Sequence, residues 1–250
     1  MRVLPILFNG NMVRVILDGR KTVTRRPVKY KYSNTEMKIR ADKYGTRLVE
    51  IQKDVEGETY GKNEDGSTWH KLRGYIVPKP PYKQGDILYV RETWDNLPVN
   101  PDGSYCGYDR YYYRADGDLR PEGWQGNWKP SIHMGKHAAR IWLKVTNVRV
   151  ERLQEITEAQ AIQEGIRTYT KDDKLFKYAV TDDWWIDYHR KHRRLFRGTF
   201  WQDMPKTAKE AFSCLWNSTI KKSDLELYGW DANPWVWVIE FERCEKPEEV

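Results

Sequence analysis

Arg20-Lys21-Thr22-Val23-Thr24-Arg25-Arg26 places three arginines, one lysine and two threonines within seven residues. Guanidinium groups are planar, permanently charged forks that match phosphate oxygens or base edges. Arg20, Arg25 and Arg26 are therefore candidate ligand-binding residues, with at least one of them expected to be structural and paired with an acid such as Asp86 or Glu92. A threonine hydroxyl is too weak an acid to attack unaided and needs a neighbouring amine or carboxylate to take its proton. An exposed basic edge would have the same composition. A second basic run, His189-Arg190-Lys191-His192-Arg193-Arg194-Leu195-Phe196-Arg197, is flanked by Trp184, Trp185, Tyr188, Phe200 and Trp201. Read as a helix, it puts Trp185, His189, His192 and Phe196 on one face that covers the fold. Read as a platform, it offers Arg190, Lys191, Arg193, Arg194 and Arg197 to the phosphates of a nucleic-acid strand. His133 and His137 have a helical metal-ligand spacing, but Pro130 and Gly135 break any helix there and no third ligand follows, so no metal site is expected.

The surrounding composition favours the same partners. A formal charge of +7 gives long-range attraction to polyanions, and 12 Trp with 16 Tyr provide faces for base stacking as well as core. Apolar residues make up 39 % and charged residues 32 %, a balance found in folded globular chains. No apolar run is long enough for a membrane span. The stretch at residues 3–8 is interrupted by Pro5 and followed by Asn9, which argues against a signal peptide. Cys106, Cys214 and Cys244 are an odd, widely spaced set with no Cys-x-x-Cys pair, as in a cytoplasmic protein with reduced thiols. No Gly-x-Gly-x-x-Gly or Gly-x4-Gly-Lys-Ser/Thr motif is present, so neither nucleotide-phosphate loop is expected and no cofactor is implied.

The elements that position these residues can be read from periodicity. Residues 12, 13, 16 and 17 form one apolar helical face that ends at Gly19, and a β-branched strand follows over 22–26. Strands are expected over 87–92, 111–114, 141–151 and 235–241. The alternation slips by one residue at Thr146-Asn147, which predicts a β-bulge or a tight turn there. Thr157 with Gln160 forms a capping box for a short helix that runs to Glu164 and stops at Gly165; Thr207 with Glu210 forms another, ahead of the stripe Ala208, Ala211, Phe212, Leu215 and Trp216. Many short strands with few short helices predict an α+β, mainly β fold, a small barrel or curled sheet rather than a Rossmann sheet. On a regular strand Lys21 and Thr24 face opposite sides. They converge only if Lys21 lies in the turn after Gly19.

Four blocks in order resemble the ASCH domain family of the PUA-like superfamily: residues 17–26, Gly85-Asp86-Ile87-Leu88-Tyr89-Val90, residues 145–165 and Trp235-Val236-Trp237-Val238-Ile239-Glu240-Phe241. Arg91-Glu92-Thr93-Trp94, Trp128-Lys129-Pro130-Ser131-Ile132-His133-Met134 and Asp231-Ala232-Asn233-Pro234-Trp235 are similar to a longer subgroup common in phage and prophage genomes. The resemblance implies one small β-barrel domain over 1–250 with insertions at 30–83 and 168–206.

At the site motif the chain resembles the N4-acetylcytidine amidohydrolases, whose Lys, Thr three residues later and helix Glu match Lys21, Thr24 and Glu164. The implied function is binding of RNA, single-stranded nucleic acid or modified nucleosides, with hydrolysis of an N4-acyl group from cytidine. Two other readings stay open: a non-catalytic reader of modified bases, and a phage protein that binds a host factor.

Overall fold

The structure, a computed structural model, describes residues 1–32, 35–42, 45–52, 61–62, 64, 68–69, 77–124, 126–171, 173–180 and 200–248. The basic run that contains Arg190, Lys191, Arg193, Arg194 and Arg197 lies outside the described residues. In chain order the elements are β1 (Val3–Leu7), α1 (Gly10–Leu17), β2 (Val23–Pro27), β3 (Thr35–Asp42), β4 (Gly45–Gln52), β5 (Gly61–Lys62), β6 (Thr68–Trp69), β7 (Ile87–Arg91), β8 (Trp94–Val99), β9 (Tyr105–Tyr113), β10 (Trp142–Arg152), α2 (Glu158–Gln163), β11 (Arg167–Lys171), β12 (Leu175–Ala179), α3 (Phe200–Asp203), α4 (Ala208–Thr219), α5 (Leu225–Tyr228) and β13 (Trp235–Cys244). The fold is mixed α+β and mainly strands, with few and short helices. Among the described residues no helix is long and apolar enough to cross a membrane.

The central sheet has the order β1-β7-β10-β13-β2. β1 and β7 run parallel; every other pairing is antiparallel. The sheet is open among the described residues, because its edge strands β1 and β2 do not pair with each other. Of the two expected forms, a small barrel or a curled sheet, the closed barrel is therefore not seen. Side-chain alternation divides the sheet between two clusters. Leu88, Val90, Leu143, Val145, Val236 and Val238 join the main core with Val13 and Ile16 of α1, Ala161 of α2 and Phe212 and Trp216 of α4. Ile87, Tyr89 and Trp142 form a second cluster.

Local signals account for most element ends. The register of β10 against β13 shifts between Val145 and Asn147, where the alternation slips, and the strand continues through it rather than turning. Asn9 caps α1 by accepting from the Met12 amide, and Gly19 leaves the helix at φ +72°. The Thr157 capping box is formed in both directions. The second box is displaced by one residue: Thr207 accepts from the Glu210 amide, while the Glu210 carboxylate accepts from the amide of Lys206. The 30–83 segment contains the β3–β4 hairpin; its Met37 and Leu48 pack with Val28 against Trp235 and Trp237. Within 168–206 the described part is chiefly the β11–β12 hairpin.

Candidate functional site

β2 begins at Val23, so Lys21 precedes the strand and sits in the turn after α1. The amides of Arg20 and Lys21 both donate to Val15 O, and the Thr22 amide donates to Gln163 O at 3.0 Å. Residues 20–22 thus strap the C-terminus of α1 to the C-terminus of α2. This frees Lys21 from strand alternation and lays its side chain across the end of α2.

There the Lys21 ammonium donates to Glu164 Oε2 at 2.6 Å and to the Glu164 carbonyl at 2.9 Å. Arg25 reaches the same carboxylate from β2, with a guanidinium nitrogen 3.1 Å from Oε1. The other nitrogens of Arg25 donate to Glu151 Oε1 at 2.6 and 3.2 Å and to Gln160 Oε1 at 3.2 Å. Glu151 in turn accepts from Arg149 at 3.1 Å, and Arg149 pairs with Glu240. Charges alternate along this chain of six groups, from the buried Lys21, Glu164 and Arg25 out to the partly exposed Arg149 and Glu240. Burial pushes the Lys21 ammonium below its ordinary value, and the adjacent Glu164 carboxylate opposes that shift.

Lys21, Thr24 and Glu164 line one pocket of about 80 Å³, together with Phe8, Arg25, Arg26, Phe212 and Trp216. Thr24 is 4 % exposed. Its side chain makes no hydrogen bond to any described residue. The pocket lies at an edge strand, which lets both strand faces contribute: Thr24 and Arg26 from one, Arg25 from the other. Arg26 lies over the Phe8 ring at 5.3 Å and donates to Leu7 O at 2.8 Å. Burial lowers its guanidinium from the ordinary value.

The three arginines read from the sequence have separate fates. Arg20 does not line the pocket; it braces the fold by donating to Gly165 O at 2.8 Å and to Asp18 Oδ2 at 2.9 Å. Arg25 is structural, but its acids are Glu151 and Glu164. The acids expected for one of these arginines have other partners, since Asp86 pairs with Arg2 and Glu92 with Arg140. Arg26 alone of the three combines pocket lining with no carboxylate partner among the described residues. His133 and His137 fall in separate single turns, and His137 packs beside Tyr111.

Four contributors escaped the sequence. Glu151 reads only as one more polar strand residue. Phe212, Leu215 and Trp216 read as a core stripe, yet they also wall the pocket. Comparisons with family models, curated proteins and solved structures return no match.

Proposed function

We propose that the chain is a PUA-like, ASCH-type hydrolase that removes an N4-acyl group from cytidine-type nucleosides. One observation carries this reading: a buried lysine, a buried carboxylate and a threonine hydroxyl with no hydrogen bond to a described residue meet at a single pocket. Thr24 Oγ1 attacks the amide carbonyl carbon and its proton passes to Lys21 in the fraction of molecules that hold it as the free amine. Burial enlarges that fraction by lowering the pKa of Lys21 against the opposing pull of Glu164. The proton then moves from Lys21 to the departing exocyclic nitrogen as the C–N bond breaks, leaving cytidine and an acyl ester on Thr24. Water attacks the ester and gives its proton to Lys21, which returns it to Thr24 Oγ1 as the C–O bond breaks. Glu164 holds the amine in line and stabilises each ammonium stage. Arg25 fixes the carboxylate from the far side.

A pocket of about 80 Å³ is far below the 300–1,000 Å³ typical of whole-ligand sites, so it takes the acyl end alone. The same size supports a second reading, a base reader in which Lys21 and Glu164 serve only to lock the pocket wall. Incubation with a panel of acylated and methylated nucleosides, followed by mass spectrometry, separates the two. Release of a carboxylic acid from N4-acetylcytidine, lost in Thr24→Val, supports the hydrolase; unaltered binding without release supports the reader.

A further inference from the structure

A second pocket, of about 620 Å³, opens beside the first, and Arg26 lines both. Its other lining includes Lys29, Lys31, Lys79, Tyr82 and Trp237. Trp237 is the cross-strand partner of Arg26 in the β2–β13 register, so the two side chains leave the sheet on the same face, and both line this pocket. Four cationic side chains stand against a single carboxylate, Glu50. That carboxylate is already committed: it accepts from the amides of Lys31 and Tyr32 at 2.9 Å and from the Thr35 hydroxyl at 2.7 Å. Lys29, Lys31 and Lys79 are exposed, and none forms an ion pair among the described residues. Arg26 spends one donor on Leu7 O, and the rest of its fork has no hydrogen bond to a described residue.

Unspent cations around an aromatic wall are the chemistry of a phosphate-bearing ligand. The volume falls within the range of sites that enclose a whole small molecule. We infer that this pocket is a phosphate subsite, and that the ligand of the adjoining site is a phosphorylated nucleoside rather than a free one. The inference rests on the hydrolase reading for the identity of the base, but not for the phosphate. In this arrangement the acyl end enters the small pocket, Arg26 spans the junction, and sugar and phosphate occupy the large one. The phosphate belongs either to a mononucleotide or to the backbone of an RNA strand.

Calorimetric titration of the full chain at low salt with cytidine, cytidine 5′-monophosphate and a cytidine-containing tetraribonucleotide tests this. The phosphate is expected to tighten binding about tenfold, with the gain lost as salt rises. In Lys29→Ala/Lys79→Ala the nucleotide should fall to the affinity of cytidine, with an unchanged melting temperature because both side chains are exposed. A tetranucleotide that binds more tightly than the mononucleotide assigns the phosphate to an RNA backbone; equal binding assigns it to a nucleotide. Equal affinity for cytidine and its monophosphate, or full nucleotide affinity in the double variant, overturns the subsite. Phosphate-dependent binding without deacylation removes the hydrolase and keeps the subsite. Deacylation indifferent to phosphate does the reverse.

Discussion

Lys21 Nζ lies 2.6 Å from Glu164 Oε2 and 2.9 Å from the Glu164 carbonyl oxygen, so one ammonium serves both the side chain and the backbone of the residue that ends α2. A carboxylate at a helix C-terminus opposes the local dipole and needs a cation to hold it there. Removing one partner of a buried pair leaves a charge without compensation, at a cost of about 3–5 kcal/mol. Because Arg25 still holds the carboxylate, Lys21→Met should cost about 3 kcal/mol by urea denaturation, near the low end of that range. The double variant Lys21→Met/Glu164→Gln should recover at least half of that loss. If single and double variants are equally destabilised, the pair is not what holds this corner.

Thr24 separates chemistry from structure. Its hydroxyl has no hydrogen bond to a described residue, so replacing it by an isosteric methyl removes none among them. Thr24→Val should leave the urea midpoint unchanged or slightly raised, since no buried partner is orphaned. Deacylation should fall to background, and Thr24→Ser should retain part of it. A variant that is inactive because it unfolds would show instead that the hydroxyl is structural.

Much of this corner could be read from residue order. Gly19 marked the end of α1, Thr157 with Gln160 marked the start of α2, and Gly165 its end; these three signals place Lys21 and Glu164 at adjoining helix ends. The bulge at Val145–Asn147 followed from a slip in alternation. The ion-pair partners did not, because choosing Glu151 over Asp86 for Arg25 depends on sheet order, and β10-β13-β2 adjacency is set by contacts distant in sequence. Closure was likewise out of reach: the strand patterns are the same for a barrel and an open sheet, and only the absence of a β1–β2 pairing distinguishes them. The second pocket was missed because Lys29 and Lys79 are separated by fifty positions and become neighbours only when the chain returns at Pro78 to Tyr82.

Alkaline stability should report on Tyr113. Its hydroxyl donates to Ala138 O at 2.8 Å, and the Arg140 guanidinium lies 4.0 Å over its ring. Burial holds the phenol up at about 12, against 10.0 for the free side chain. An acid with a raised folded value favours folding only while the unfolded chain also stays neutral. Stability is therefore intact below pH 10 and declines between pH 10 and 12, where the unfolded chain ionises first. With partial exposure discounted, the decline is about 1–2 kcal/mol. Denaturation midpoints for the parent and Tyr113→Phe across this window should converge at the alkaline end. Parallel curves would mean that Tyr113 titrates alike in both states.

Gly165 is the position where backbone geometry and the site depend on each other most directly. It adopts φ +107°, and a Cβ there would meet Val15 Cγ2 at 2.9 Å and Lys21 Cβ at 3.6 Å. Two independent penalties follow from Gly165→Ala: backbone strain of about 1–3 kcal/mol, and a clash that pushes α1 away from the end of α2. That movement carries Lys21 off Glu164, so binding at the small pocket should weaken along with stability. Val15→Ala removes the 2.9 Å contact with Cγ2, leaving Val15 Cβ at 3.3 Å, and does not touch the strain. The double variant Val15→Ala/Gly165→Ala should thus be less destabilised than the sum of its parts, by about 1 kcal/mol. Strict additivity would mean that the strain alone accounts for the loss, and that α1 and α2 do not meet closely enough for Gly165 to set the Lys21–Glu164 distance.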